Sequence, residues 1–440
     1  MSLRDIVIAL IVLAAGLHAF RRPWIGVMLW TWVSTMNPHR YAWGFIATAP
    51  VAAFTVGVTL LGLVFTKERR SPFLGLPVVL LAIFVSWITV SWLMSHNVAD
   101  GYWLWNRSMK IFFMAFITLM LLQTKEHIMT FAWIMIGSLA ILGAKGGAFT
   151  LATLGNYRVW GPPDTFIEGN NEFALALIII IPLIHFLQLQ VSRQVWRHIL
   201  SIVMLLCVIA AFGSHSRGAL VAIIAMSGVF WWRSPNKGAL AILFFIIAVA
   251  MLPMLPEHWW TRMQTISEYQ VDASAIGRLN AWHVAWEVAK HELFGAGMSY
   301  QYSEYFFLYG KYETIVRAAH SIYFEILGNH GFIGLFLFLL IWITTFREAG
   351  WLMRNARSTP HTLWAAQLGA MAQVSLVGYA VGGAFLSLAY FDLPYNILIM
   401  VMLAKAWVMS QDLKDQAIET GVTSCPPHKK LMAHQNDSSG

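Results

Sequence analysis

Apolar residues run on for a dozen or more positions again and again along this chain, and polar residues collect in short breaks between the runs. The runs lie near 5–19, 23–36, 44–66, 73–94, 109–122, 128–152, 173–190, 199–213, 218–232, 238–256, 331–346, 362–388 and 394–410. Each predicts a helix. A hydrocarbon core about 30 Å thick takes about 20 apolar residues per helix. Lipid leaves only helices and closed barrels able to satisfy every backbone group, and the runs lack the alternation of barrel strands. Two of the thirteen are short, and the pair before residue 37 is read as one crossing, a re-entrant pair; twelve crossings then leave both termini inside.

One connection breaks the pattern of short loops. Residues 257–330 separate an N-terminal helical region (1–256) from a C-terminal one (331–410), and a polar, disordered tail is expected over 411–440. Loops beyond about 15 residues in a compact protein are usually functional or disordered, and this one is not disordered in composition. Leu279, Trp282, Trp286, Ala289 and Leu293 recur at helical spacing, and Gly295 and Gly297 follow as stop signals. The spacing predicts an amphipathic helix lying on the bundle or on the membrane face.

Composition confirms the class. Of 440 residues, 58% are apolar or aromatic and 11% charged, against about a quarter charged in soluble domains. An all-α integral membrane protein follows, a polytopic bundle of about 12 transmembrane helices. The net charge of +8 comes from basic residues scattered between the runs instead of one stripe, so no nucleic-acid partner is expected. Those residues report orientation. Arg21, Arg22, Lys67, Arg69, Arg70, Lys125, Arg193, Arg197, Arg233, Lys237, Arg347, Arg354 and Arg357 fall in one set of alternating loops, whereas the other short loops hold Arg40, Arg107, Arg158 and Arg217. Basic residues favour the cytoplasm, which puts the 257–330 loop in the periplasm. Cys207, in a span, and Cys425, in the tail, are not expected to pair. The apolar N-terminus has no cleavage signal and reads as a retained membrane segment.

Positive charge on the outer face calls for a reason. Arg217, in Ser214-His215-Ser216-Arg217-Gly218, sits between two spans with almost no loop around it. At bilayer depth it either pairs with something functional or snorkels from a helix end. Arg278, in Gly277-Arg278-Leu279-Asn280, opens the loop helix, where a guanidinium and exposed N–H groups could share an anion such as a diphosphate. A solvated loop arginine fits the spacing equally well. His320 stands where the loop returns to the membrane; an imidazole can take a proton from an attacking hydroxyl, and Glu325, one turn on, could orient it or be the base itself. A structural histidine at a helix start is the alternative. Arg158, in the loop running from Asn156 to Glu172, and Lys145, close to the same face, either add to a phosphate-binding surface or anchor the interface. There is no Asp-x-Asp pair in the first outer loop, no zinc spacing, no Walker loop and no Gly-x-Ser-x-Gly elbow, so no metal and no cofactor are expected.

These residues resemble the O-antigen ligase and Wzy-type polymerase superfamily. The resemblance rests on Ser216-Arg217-Gly218 at the start of a span, on Arg278-Leu279-Asn280-Ala281-Trp282 followed by Phe294-Gly295-Ala296-Gly297, and on His320-Ser321-x-x-x-Glu325-x-x-Gly328-x-x-Gly331, all around one large loop. It is strongest over about residues 200–346; the N-terminal third resembles the O-glycosylation ligases of exosortase-containing bacteria. The resemblance implies a GT-C-like fold in the inner membrane. It also implies a glycan donor linked to undecaprenyl diphosphate and a lipid A core acceptor, within lipopolysaccharide assembly. Arg217 and Arg278 would hold the diphosphate, with Arg158 and Lys145 as weaker ligands, and His320 would deprotonate the acceptor. Polysaccharide polymerases and protein O-glycosylation ligases share these signatures. A transporter or flippase of the same lipid-linked glycan would show repeat symmetry and a charged crossing path, neither of which the sequence displays.

Overall fold

A computed structural model describes residues 3–234, 236–251, 273–311, 316–357 and 359–419. Residues 257–272 of the long loop and 420–440 of the tail, with Cys425, lie outside the described residues. The helices are α1 (Leu3–Arg21), α2 (Pro23–Met36), α3 (Phe45–Thr48), α4 (Val51–Phe65), α5 (Leu76–Leu93), α6 (Val98–Leu121), α7 (Lys125–Ala152), α8 (Asn170–Gln190), α9 (Gln194–Gly213), α10 (Arg217–Arg233), α11 (Lys237–Met251), α12 (Ala273–His291), α13 (Ser303–Tyr309), α14 (Ile322–Asn355), α15 (Leu363–Gly383) and α16 (Asp392–Glu419). As far as the described residues go, the apolar runs of the sequence fall on these helices, the run 44–66 dividing into α3 and α4. Among the described residues, eight (α1, α5, α6, α7, α8, α9, α14 and α16) are long and apolar enough to cross a membrane.

α8 is apolar on every side, and both it and the apolar part of α16 are buried along most of their length, as befits central helices. α1 and α9 are peripheral and leave most of their surface outward. Where two helices must close up, side chains vanish: Gly143 and Gly147 of α7 make room for Cys207 and for the Leu206 carbonyl of α9. Cys207 is a free, buried packing residue.

We define the upper end of the bundle as the end where α8, α10 and α14 begin. The expected single crossing over residues 5–36 is not formed. Pro23 opens α2 at a position where a proline can start a helix but not continue one, and the chain doubles back. Gly44 donates its N–H to Asp5 at 3.2 Å, while Gly62 packs on the Ala19 carbonyl and Pro23. α1 and α2 are therefore antiparallel. Arg40, just after α2, pairs with Asp164 in the loop before α8, which puts the start of α1 at the upper end. The end of α16 lies at the lower end, so the two described termini are on opposite ends, not on the same one.

α14 is broken at Gly331, where φ is 66° and ψ is −170°. A break inside a membrane bundle frees carbonyls that lipid cannot satisfy, and here each finds a donor. Ala296 N–H donates to Gly328 O at 2.9 Å and Gly297 N–H to Asn329 O at 2.8 Å; Trp87 Nε1 donates to His330 O at 2.9 Å. Ser91 lies within hydrogen-bond reach of Phe294 O and His330 Nδ1, and Tyr390 OH lies 2.8 Å from His330 Nε2. A consistent assignment has Ser91 donating to Phe294 O, His330 donating from Nδ1 to Ser91, and Tyr390 donating to His330. The Phe294-Gly295-Ala296-Gly297 turn thus clips onto the break. Gly295 and Gly297, at φ of 67° and 60°, are stop signals, as expected, and also the only residue type that fits: a Cβ on Gly295 would lie 2.6 Å from the Gly331 nitrogen.

α12 is the expected loop helix, with a different buried face. Ala281, Val284, Ala285, Val288 and Ala289 pack inward, beneath Tyr300 and Phe306, while Leu279, Trp286 and Leu293 remain 49%, 46% and 63% exposed. Small residues let α12 approach the bundle closely; the large ones of the expected stripe stay outward. Trp282 stacks on Phe324 and donates to Ala319 O at 2.7 Å, tying α12 to the segment that precedes α14.

Candidate active site

Three helices begin at one mouth at the upper end. α15 ends between two of them: Gly383 packs on Ile322, the first residue of α14, and Gly218 of α10 packs on Phe385. Asn170, the first residue of α8, donates from Nδ2 to Ser214 O at 2.7 Å, next to the turn into α10. Each helix N-terminus carries about half a positive charge, so their convergence favours an anion.

Around this mouth the loop between α7 and α8 is pinned on all sides. His215 Nε2 donates to Gly155 O at 2.9 Å, Val159 N–H to Gly213 O at 3.1 Å, and Arg40 pairs with Asp164 at 3.0 Å. Arg107 lays its guanidinium 3.8 Å over the Phe166 ring. Arg40 and Arg107 are thus employed in holding this loop. Arg158, half-buried, precedes the residue that bonds Gly213, and so shares the neighbourhood of Arg217.

Arg217 is the first residue of α10, behind an N-cap Ser216 whose hydroxyl accepts from Ala219 N–H. The pairing of a guanidinium with a helix N-terminus, expected at Arg278, is found here instead. Arg278 lies five residues into α12, beyond its first turn, where backbone N–H groups already bond within the helix.

His320 occupies a left-handed conformation, φ 45°, which costs a non-glycine residue about 1–2 kcal/mol. It is a strained residue at the mouth. Burial first, then the Arg278 and Arg317 guanidiniums, push its imidazole down to about 4. Glu172 Oε1 lies 3.9 Å from His320 Nδ1, too far for a hydrogen bond. A charged pair at that distance would raise the imidazole, but burial and the two cations oppose it. The neutral form, able to accept a proton, prevails.

The expected contact of Glu325 with His320 is not made. Glu325 is buried in α14 and accepts the Ala389 N–H at 3.3 Å; the carboxylate beside His320 is Glu172. Lys145 is exposed, its Nζ 4.7 Å over the Tyr41 ring. It projects from the face of α7 opposite Gly143, Gly146, Gly147 and Thr150, which pack toward α8 and α9, and so turns away from Glu172. The structure therefore gathers His320, Arg278 and Glu172, sets Arg217 and Arg158 on the adjoining turns, and leaves Lys145 outside.

Two members escaped the sequence reading of the site. Glu172 carried a weak signal, an acidic first turn after a polar loop. Arg317 carried a better one, a cation three residues before His320, and its aliphatic stem packs on Gly277 beside Arg278. Among the described residues, no group of three or more His, Cys, Asp or Glu is placed to hold a metal ion.

A multi-pass helical membrane protein with a cationic, histidine-bearing mouth is the class that fold and site define. Residues 202–339 match the family model described as O-Antigen ligase, and residues 3–192 match one described as a family of unknown function (DUF5935). Arg217, Arg278 and His320 all lie within the segment that matches the O-Antigen ligase model. No curated protein matches the chain.

Proposed function

We propose that this protein is a metal-independent, inverting glycosyltransferase. It moves a glycan from undecaprenyl diphosphate to a hydroxyl of lipid A core oligosaccharide at the periplasmic face of the bacterial inner membrane. The observation that carries the reading is the meeting of a neutral, strained His320 with Arg278 at a mouth where three helices begin. The acceptor oxygen attacks the anomeric carbon, the bond from that carbon to the diphosphate oxygen breaks, and the acceptor proton passes to His320. The diphosphate leaves with its electron pair toward Arg217 and Arg278, whose planar forks suit phosphate oxygens. Fixed cations in a partly dry site stabilise that charge without reorganisation.

The test is reconstitution of the purified protein with an undecaprenyl-diphosphate-linked glycan and lipid A core in excess chelator, beside the His320→Ala variant. Glycan on the lipid with wild type alone is the expected result. Longer glycans or glycosylated protein, formed only when those acceptors are supplied, would move the assignment to a polymerase or a protein ligase.

The charges around His320 also predict a pH profile. A base must be unprotonated in the free enzyme, so kcat/KM should stay level from neutrality to about pH 5 and fall as pH passes through about 4. A bound diphosphate offsets Arg278 and Arg317 and raises the imidazole, so the acid limb of kcat should lie at higher pH than that of kcat/KM. Both limbs at the ordinary histidine value of about 6.5 would mean that burial and the two cations do not hold the imidazole down in the free enzyme.

A further inference from the structure

At the lower end, α14, α15 and α16 enclose a polar cavity of about 420 Å³ lined by Arg347, Glu348, Arg354, Gln373 and Lys405. Three cations face one carboxylate, and that carboxylate is already engaged: Lys405 Nζ donates to Glu348 Oε2 at 2.6 Å, each side chain 18% exposed. Arg347 and Arg354 are left as excess positive charge. Gln373 donates to Phe346 O and accepts from Arg233 of α10, which brings another cation to the rim. Gly350 keeps the chamber open, since a Cβ there would come within 2.9 Å of Gln373 Nε2 and 3.5 Å of Arg354 Nη1.

A second cavity, of about 340 Å³, shares Phe346 and Arg347 with the first and climbs between α14 and α15 past Ile343, Leu339 and Val377 to Ile322 and Tyr323 at the start of α14. Its walls are almost wholly apolar, and Ile343 and Leu339 are outward-facing. An apolar groove alone would accept any chain. Here it empties into a cationic chamber at the end where the basic loop residues gather.

We propose that the two cavities together bind one anionic phospholipid, its phosphate between Arg347 and Arg354 and an acyl chain in the groove beside Ile343. Guanidinium forks match phosphate oxygens, and basic pockets between membrane helices on the cytoplasmic side hold anionic headgroups. The lipid bridges α14, α15 and α16 with its phosphate at the opposite end of α14 from His320, while the groove for its chain reaches up to Ile322 and Tyr323; that placement of the phosphate makes it distinct from the donor of the transfer reaction.

Native mass spectrometry of the full chain in detergent tests this, with phosphatidylglycerol and phosphatidylcholine of matched chains titrated in turn. Phosphatidylglycerol should be retained one to one, and phosphatidylcholine should not. The Arg347→Gln, Arg354→Gln double variant should bind phosphatidylglycerol about thirtyfold more weakly, the effect of removing two cations near a membrane surface. Gly350→Leu keeps every charge but fills the chamber, and should also lose the adduct. Equal retention of the two lipids, or unchanged binding by both variants, would overturn the proposal. So would displacement by equimolar undecaprenyl phosphate, which would assign the groove to a polyprenyl lipid, or by inorganic phosphate, which would make it a simple anion site.

Discussion

His320→Ala is expected to leave the protein folded in the membrane and to slow glycan transfer by about 10²- to 10⁴-fold, the range for removal of a positioned general base. Arg278→Ala should cost about 10²- to 10³-fold by withdrawing a fixed charge from the leaving diphosphate. Single-turnover rates on detergent-purified protein measure both. The backbone supplies the control for folding. At a φ of 45° an alanine keeps the strain of the histidine, whereas a glycine adopts that conformation freely. His320→Gly should therefore be at least as stable to heat as His320→Ala while equally slow. A near-normal rate in either variant would falsify the assignment of the base; loss of rate together with a collapsed melting temperature in both would instead make His320 structural.

The second large effect concerns stability. Gly331→Ala is expected to destabilise the fold by about 3 kcal/mol or more, because this corner of backbone space is open essentially to glycine alone. A new Cβ would also lie 2.5 Å from the Leu293 carbonyl and push the Phe294-Gly295-Ala296-Gly297 turn off the break in α14. That turn satisfies the carbonyls of Gly328 and Asn329, so its displacement would leave them without donors inside the bundle. Thermal unfolding in detergent reads the effect. Gly228→Ala, in α10 with nothing within 4 Å of the added Cβ, should unfold at about the wild-type temperature. Equal melting of the two variants would mean that the break is not what holds the loop to the bundle.

Among the described residues, hydropathy alone located each helix long and apolar enough to span a membrane, because burial in lipid imposes the same demand on each span. It found only the part of α14 that follows the break. The apolar run begins at Gly331, which is the break itself, and the helical segment before it, from Ile322, was missed because Glu325, Asn329 and His330 read as loop until their partners Ala389, Ser91 and Tyr390 are in place. Periodicity found α12 but chose its larger apolar residues for the core, when close approach to the bundle required alanine and valine. For the proposed site, motif order singled out His320, Arg217 and Arg278, of which the structure brings His320 and Arg278 to one mouth. It did not single out Glu172, because nothing in local sequence reveals that the start of α8 and the start of α14 share a mouth. Lys145 misled for the reverse reason: its depth was right, but the side of α7 it leaves from depends on packing with α9.

The Glu172 contact with His320 also bears on ancestry and engineering. One matched segment ends at residue 192 and the other begins at 202, inside α9, and the proposed site draws on both: Glu172 and Arg158 come from the part matching a family of unknown function, His320 from the part matching the O-Antigen ligase model. On the proposed function, the N-terminal half supplies part of the pocket and is no mere anchor. A chimaera that joins one parent's first eight helices to another's remainder inherits a mixed pocket, and compatibility across residues 172 and 320 becomes a condition on any such exchange.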